Sequence, residues 1–360
     1  MSTQAKDILN LTKPSKILVP IILGLGVASC LLVRNFDANA FSTISWTWHS
    51  TLWILLSFVM VVIRDWAYMV RIRVLTNNEL TWKKSFEVIM LWEFCSAIIP
   101  PVLGGGFAFA IYILNKEKIS MGRSISVIMF TSFLDGMFFA LIAPIVYFTL
   151  GHDLLFGVIE QGDAAKLSYG LGLAYFFWVV YFVVLAYKIL VAYALFINAT
   201  AVKIFLMKIF SIGFLKKWKE QATKTGIEME IAALELKQQK GGYWLKSFAA
   251  TCVSWSARFI IINCIIKAFS NVNFSHYVVY ARQVVMGIIN IASPTPGGAG
   301  LAEWLFGKLL GEFLPSATLA LTLAMVWRLI SYYPYLFVGA IVIPRWVKRV
   351  FTKQEIESES

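Results

Sequence analysis

Apolar runs of about 20 residues recur along this chain, and they decide what it can fold into. The clearest are Ile17–Val33, Trp46–Val70, Ser124–Leu150, Ser168–Ile197, Trp244–Phe269 and Ala317–Ile343. A helix of about 20 residues crosses ~30 Å of hydrocarbon. Backbone polar groups in lipid must be satisfied within the protein, so such runs are helices. Composition agrees, with 59% of the 360 residues hydrophobic, 14% charged and a mean hydropathy of +0.73. That balance leaves too little polar surface to cover a soluble domain. The expected fold is an all-α polytopic membrane protein with about six to eight membrane segments. Ile17–Val33 has a basic flank (Lys6, Lys13, Lys16) and no small-residue cleavage site, so it reads as a retained span.

Two stretches break this regularity. In one, Ser85–Ile99 leads to Pro100, Pro101, Gly104, Gly105 and Gly106, and Phe107–Leu114 follows. In the other, Tyr277–Ala292 leads to Ser293-Pro294-Thr295-Pro296-Gly297-Gly298-Ala299-Gly300-Leu301-Ala302-Glu303, and Trp304–Leu314 follows. Proline lacks an N–H and stops a helix, and glycine allows positive φ and close approach. Each arm is ~15–24 Å long as helix, about half a span. Both stretches are therefore expected to be re-entrant helical hairpins.

Basic residues orient the segments. Arg71, Arg73, Lys83 and Lys84 precede the first hairpin, and Lys116, Lys118 and Arg123 follow it. Positive flanks favour the cytoplasmic side. The Gly151–Leu167 loop carries Asp153, Glu160 and Asp163 and is expected outside. Lysines in Asn198–Lys246 and at the carboxy end place both inside, with both termini cytoplasmic in a cell (inner) membrane. The second hairpin, flanked only by Lys267 and Lys308, then enters from outside. The pair forms an inverted repeat on this reading. Arg64 precedes Pro100 by 36 residues, and Arg258 precedes Pro294 by 36. Paired broken helices in opposite orientation point to a substrate site near the midplane. The chain divides into 1–45 with the first span, 46–197 with a hairpin near 85–114, a basic amphipathic linker 198–246, 247–350 with a hairpin near 277–314, and a tail 351–360.

The net charge of +12 sits in short loops, so it marks topology and contact with anionic lipid rather than nucleic acid. Four cysteines (Cys30, Cys95, Cys252, Cys264) lie in apolar segments without metal-ligand spacing, and no cofactor or metal is expected. No nucleophile elbow, phosphate loop or zinc-protease helix occurs, so no catalytic residue is assigned. The membrane charges are the candidates. Arg328, followed by Tyr332 and Tyr333, stands near mid-depth in the last span. An arginine there costs at least ~2.5 kcal/mol unless it is paired or hydrated. Two readings stay open: an ion pair with Glu303 or Asp135, or a bidentate anchor for phosphate. Arg64, Arg258 and Arg282 are further candidates for binding substrate, although Arg64 and Arg258 lie where snorkelling also explains them. Asp65 is a partner candidate for Arg64. Glu93, Asp135 and Glu303 are the carboxylates that could gate or couple. Glu303 also suits the start of a half-helix, where the dipole favours an acid.

At these residues the chain resembles the transmembrane, flippase-like domain of lysylphosphatidylglycerol synthases and their stand-alone relatives. The Pro294–Glu303 run and Trp327-Arg328-Leu329-Ile330-Ser331-Tyr332-Tyr333 carry the resemblance, and Arg64, Pro100–Gly106, Tyr112, Leu114 and Asp135 fit more loosely. Members commonly bear an acid and then a base after the first glycine break. Here that region is Gly104-Gly105-Gly106-Phe107-Ala108-Phe109, which argues against a symmetric two-carboxylate mechanism. The resemblance implies a lipid translocator acting on anionic head groups. The synthases carry a further soluble domain, whereas this sequence stops soon after its last span, so lysyl-lipid synthesis is not expected of it. Other readings are an ion-coupled small-solute transporter, an enzyme of lipid head groups, and a non-transporting partner of a lipid-modifying enzyme. A homo-oligomer is also compatible.

Overall fold

The computed structural model describes residues 46–359, apart from 105, 161–163, 212–215, 217, 218, 238 and 271. The expected first span, Ile17–Val33, and Gly105 lie outside the described residues. Among those described, the regular structure is helical and no strand occurs. Five helical stretches, the last interrupted at Tyr332, are long and apolar enough to cross a membrane: Trp48–Leu75, Met121–Ile159, Gly172–Phe196, Gly241–Phe269 and Ala317–Val350.

Helix α1 (Trp48–Leu75) is started by Thr47, whose hydroxyl accepts from the Ser50 N–H at 3.3 Å. Its burial is inverted relative to a soluble helix. Arg64, Arg71, Ser50 and Ser57 are buried, while Leu52, Leu55, Val62 and Trp66 are exposed. Apolar groups outward and polar groups inward is the pattern of a helix surrounded by lipid. Its densest partner is α8 (Gly241–Phe269), which runs antiparallel. Trp46 meets Phe269 at one end, and Arg71 donates to Thr251 at 3.2 Å near the other. Ser57 and Ala67 on α1 and Ala250, Ser254 and Ala257 on α8 let the two backbones approach closely.

Helix α2 (Trp82–Ile98) is capped by Thr81 and ends at a 3₁₀ turn, Pro101–Leu103. Gly104 then takes φ +87°, and α3 (Phe107–Lys116) folds back against α2. The second unit repeats this construction. Helix α4 (Met121–Glu160) and α5 (Ala164–Phe196) close the first half, and α6 (Ala199–Ile209) and α7 (Lys219–Leu236) lead into α8. Helix α9 (His276–Ile291) then ends at Ser293, a 3₁₀ turn spans Pro296–Gly298, and α10 (Leu301–Leu310) packs back on α9. The turn is possible because Gly297 and Gly298 take φ of +57° and +69°. A Cβ on Gly297 would overlap the Tyr332 ring, and one on Gly298 the Asn290 amide.

The two breaks meet. The first turn lies against α9 and the second against the end of α2, with Val102 N–H facing the Ser293 carbonyl at 3.4 Å. The Tyr332 hydroxyl donates to the Ala97 carbonyl at 2.9 Å, satisfying one of the free carbonyls at the end of α2.

Four sequence expectations need correction. The described part of the Gly151–Leu167 loop is mostly helix: within α4 Gly151 leaves helical geometry (φ 75°), and buried Leu155 and Phe156 hold the next turns in the core. The last span is two helices, α11 (Ala317–Ser331) and α12 (Tyr333–Glu359). Tyr332 breaks it at φ −130°, ψ −56°, and Pro334 has no N–H to bond one turn back. Arg71 is no loop charge, because α1 continues past it and buries it at 4% exposure. The amphipathic segment after α5 also does more than link, since α7 packs on α6, α4 and α5.

Candidate functional site

The junction of the two breaks is lined by charge. Arg328, on α11, is 5% exposed. Its Nε donates to Glu303 Oε1 at 2.8 Å and its Nη1 to the Gly297 carbonyl at 2.9 Å. Its Nη2 is buried without a partner. Glu303 is 2% exposed, and its other oxygen accepts from the Gly300 N–H at 2.7 Å, capping α10. Both expectations for Glu303 and Arg328 as structural groups are thus met in one arrangement. The glycine turn, the helix start and the guanidinium are tied together by a single carboxylate.

Arg64 is buried, so snorkelling does not explain it. It donates to Asp65 at 3.1 and 3.0 Å and lies over the Tyr335 ring at 4.6 Å. The Tyr335 hydroxyl donates in turn to Asp65. Arg258, on α8, is held more loosely. Its Nη2 reaches Tyr68 at 3.3 Å and Glu93 at 3.5 Å, while its Nε is buried and unpartnered. Arg64, Arg258, Arg328, Glu93, Tyr332, Pro101 and Gly297 line one chamber of about 300 Å³. Asn290 lines it too, with a buried Oδ1 lacking a partner. Buried polar atoms are paired in all but a few cases, so three unmet groups around one chamber ask for a ligand or water.

A larger cavity of about 760 Å³ adjoins this chamber, sharing Glu93, Ser96, Pro101, Trp255, Arg258 and Ile291. Gly104 and Gly106 of the first break line it. Valine and aromatic side chains are the commonest in its walls, with Arg71, Asp135 and Lys188 among them. Asp135 is the partner of Arg71 (2.6 Å) and of Trp255 (2.9 Å), not of Arg328.

The chambers do not take in every candidate. Arg282 is clamped elsewhere, donating to the Leu154 and Leu309 carbonyls at 2.9 and 2.8 Å and to Glu312 at 2.6 Å. It lines neither cavity and instead ties the α9–α10 unit to α4. Tyr333 is buried against Tyr332 and lines neither cavity. Pro100, Pro294, Pro296, Gly298 and Gly300 shape the breaks without lining a cavity. In the sequence Arg71 reads as a flanking charge, and Lys188, Trp255 and Asn290 go unrecognised. Only Lys188 carried a signal there, as the one charged residue between Gly172 and Phe196.

Broken helices meeting around a buried ionic chamber, inside a shell of apolar helices, define a multi-pass helical membrane protein with an internal polar site. The chain belongs to the lysylphosphatidylglycerol synthase TM region family, whose model matches residues 17–339. It is also 24% identical over 317 residues to a UPF0104 membrane protein of Archaeoglobus fulgidus, a match covering 84% of this chain and 90% of that protein.

Proposed function

We propose that this protein moves a lipid with an anionic, phosphate-bearing head group between the leaflets of the cell membrane. The observation that carries the reading is the unpartnered Nη2 of Arg328, buried in a chamber where two helix breaks meet. A guanidinium already oriented by Glu303 and Gly297, with a free amino edge, suits a phosphate oxygen. Asn290 and Arg258 offer the remaining contacts. The acyl chains stay among the valines of the adjoining cavity.

Charge balance supplies the coupling. Arg64, Arg258 and Arg328 each face one carboxylate, Asp65, Glu93 and Glu303, so the resting chamber is neutral. An arriving phosphate adds a negative charge in low dielectric, and a proton on Glu93 or Glu303 offsets it. Glu93 has the longer contact, 3.5 Å, and the greater exposure, so it is the easier to release. In this reading the α2–α3 and α9–α10 units are re-entrant hairpins in inverted orientation, both termini are cytoplasmic, and no bond is made or broken. The apolar walls and exposed valines of the larger cavity favour a lipid over a small solute.

Reconstituted liposomes carrying a leaflet-resolved fluorescent phosphatidylglycerol test this. Arg328→Ala and Glu303→Ala are each expected to slow lipid movement at least ~10-fold, the effect of losing about 1.4 kcal/mol of barrier lowering. Movement unchanged in both variants would overturn the site.

A further inference from the structure

The larger cavity is not neutral. Its charged lining is Arg71, Lys188 and Arg258 against Asp135 and Glu93, one positive charge in excess. Asp135 is already engaged by Arg71 and Trp255, and Glu93 faces Arg258. Among the described residues, Lys188 forms no ion pair with a carboxylate, and Asp135 acts on it only through charge at longer range. Its ammonium donates to the Ser132 hydroxyl at 2.7 Å and the Ser132 carbonyl at 2.8 Å, which uses two of its three protons.

The lysine is also built to point inward. It sits on α5, whose Tyr175, Val179, Phe182, Val183 and Ile189 are exposed, so an outward lysine would have met only apolar surroundings. Its stem instead crosses Gly136 on α4, where an added Cβ would come within 2.6 Å of Lys188 Cγ. A tie between α4 and α5 alone would not need a cation, since a neutral donor would bond Ser132 without the desolvation that a charge incurs in a membrane.

We infer that Lys188 heads a second, lateral subsite that holds the phosphate of a membrane lipid before or after it occupies the Arg328 chamber. Val183 and Val179 lie on the same lining face, up to ~13 Å toward the other end of α5. A head group at Lys188 therefore lets its chains run over those exposed valines toward the middle of the bilayer. That orientation suits a lipid of the leaflet nearest the C-terminal end of α5. The inference deepens the transport reading and rests on it for the word "before or after", but the subsite is a binding claim that is measured separately.

Native mass spectrometry of the detergent-purified full chain, titrated with phosphatidylglycerol or phosphatidylcholine, reads the subsite directly. Wild type is expected to hold one more phosphatidylglycerol than Lys188→Gln at low lipid, with at least a tenfold weaker affinity for that lipid in the variant. Phosphatidylcholine carries the same phosphate beside its own choline cation, so it should bind more weakly and lose less affinity in Lys188→Gln than phosphatidylglycerol does. Lys188→Arg should keep the lipid. Gly136→Ala should lose it, because the new methyl displaces the lysine stem while leaving its charge in place. Equal phosphatidylglycerol binding by wild type, Lys188→Gln and Gly136→Ala would overturn the subsite. If Lys188→Gln does not fold, equal binding by Gly136→Ala and wild type does so alone. Displacement of the lipid by millimolar glycerol 3-phosphate would overturn the lipid assignment in favour of a soluble phosphate ester. Lysine-dependent binding in a protein that moves no lipid in liposomes would sink the transport reading and leave the subsite standing.

Discussion

At the residue scale, Glu303 and Arg328 show how one ion pair can be both scaffold and site. Removing one member strands the other in a buried place, which costs about 3–5 kcal/mol. Arg328→Ala is therefore expected to melt well below wild type in detergent. The double variant Glu303→Gln/Arg328→Met removes both charges, so it should recover most of that stability and still fail to move lipid. Transport that returned together with stability would make the pair a lock and nothing more. Gly298 is a second sensitive position. Its φ of +69° and the adjacent Asn290 amide leave no room for a methyl, so Gly298→Ala should destabilise by roughly 1–3 kcal/mol. Denaturation in detergent measures this, and Asn290→Ala in the same chain should relieve the clash but not the backbone strain.

At the scale of elements, each half of the molecule places a short helix, a glycine-containing break and a second short helix between long spans. The breaks leave helix ends in the interior, and two of those ends find a specific side-chain partner: Tyr332 for the end of α2, Glu303 for the start of α10. Outside the spans, α6 and α7 are clipped together by Lys203 and Thr200, both 2.8 Å from the Glu230 carboxylate. Those hydrogen bonds, from Lys203 first and then Thr200, hold the Glu230 carboxyl below its usual range. A carboxyl depressed in the folded state adds stability above its unfolded value, and that contribution is lost as pH falls through the folded value. The α6–α7 contact should therefore loosen in acid, below the ordinary glutamate value of about 4.3. Hydrogen-exchange protection of α6, corrected for intrinsic rates, should drop between pH 7 and pH 3. In Glu230→Gln it should be lower at pH 7 and insensitive to pH.

At the scale of the whole molecule, the proposal that the α2–α3 and α9–α10 units are inverted hairpins makes a topological prediction. Single cysteines at Lys83 and Lys118, in a chain whose native cysteines are serine, should label with an impermeant maleimide from one side of the membrane. Cysteines at Asn273 and Pro315 should label only from the other. Lys83 and Lys118 on opposite sides would replace the first hairpin with a crossing segment and dissolve the repeat. The same scale explains the cavity. The α1–α8 pair forms an axis, and packing α2 against α12 and α9 against α4 and α5 brings both breaks to it.

That the chain is helical and membrane-embedded follows from its residues alone, because 20-residue apolar runs have no other way to satisfy their backbone. It also located both breaks, since proline and glycine act on their own local backbone and need no partner. Glu303 and Arg328 stood out for the same kind of reason, as charges where charge is costly. Which charges meet was settled only by helix packing. Asp135 was open to Arg328 and went to Arg71, Arg282 left the site for Glu312, and Lys188 turned inward over Gly136. Pairing depends on which helix faces pack, and apolar helices carry weak facial patterns because lipid and core are alike to them. The break at Tyr332 was hidden for a related reason. Its cause is partly local, in Pro334, but its use, holding the end of α2 beside a glycine turn, exists only once the two halves are together.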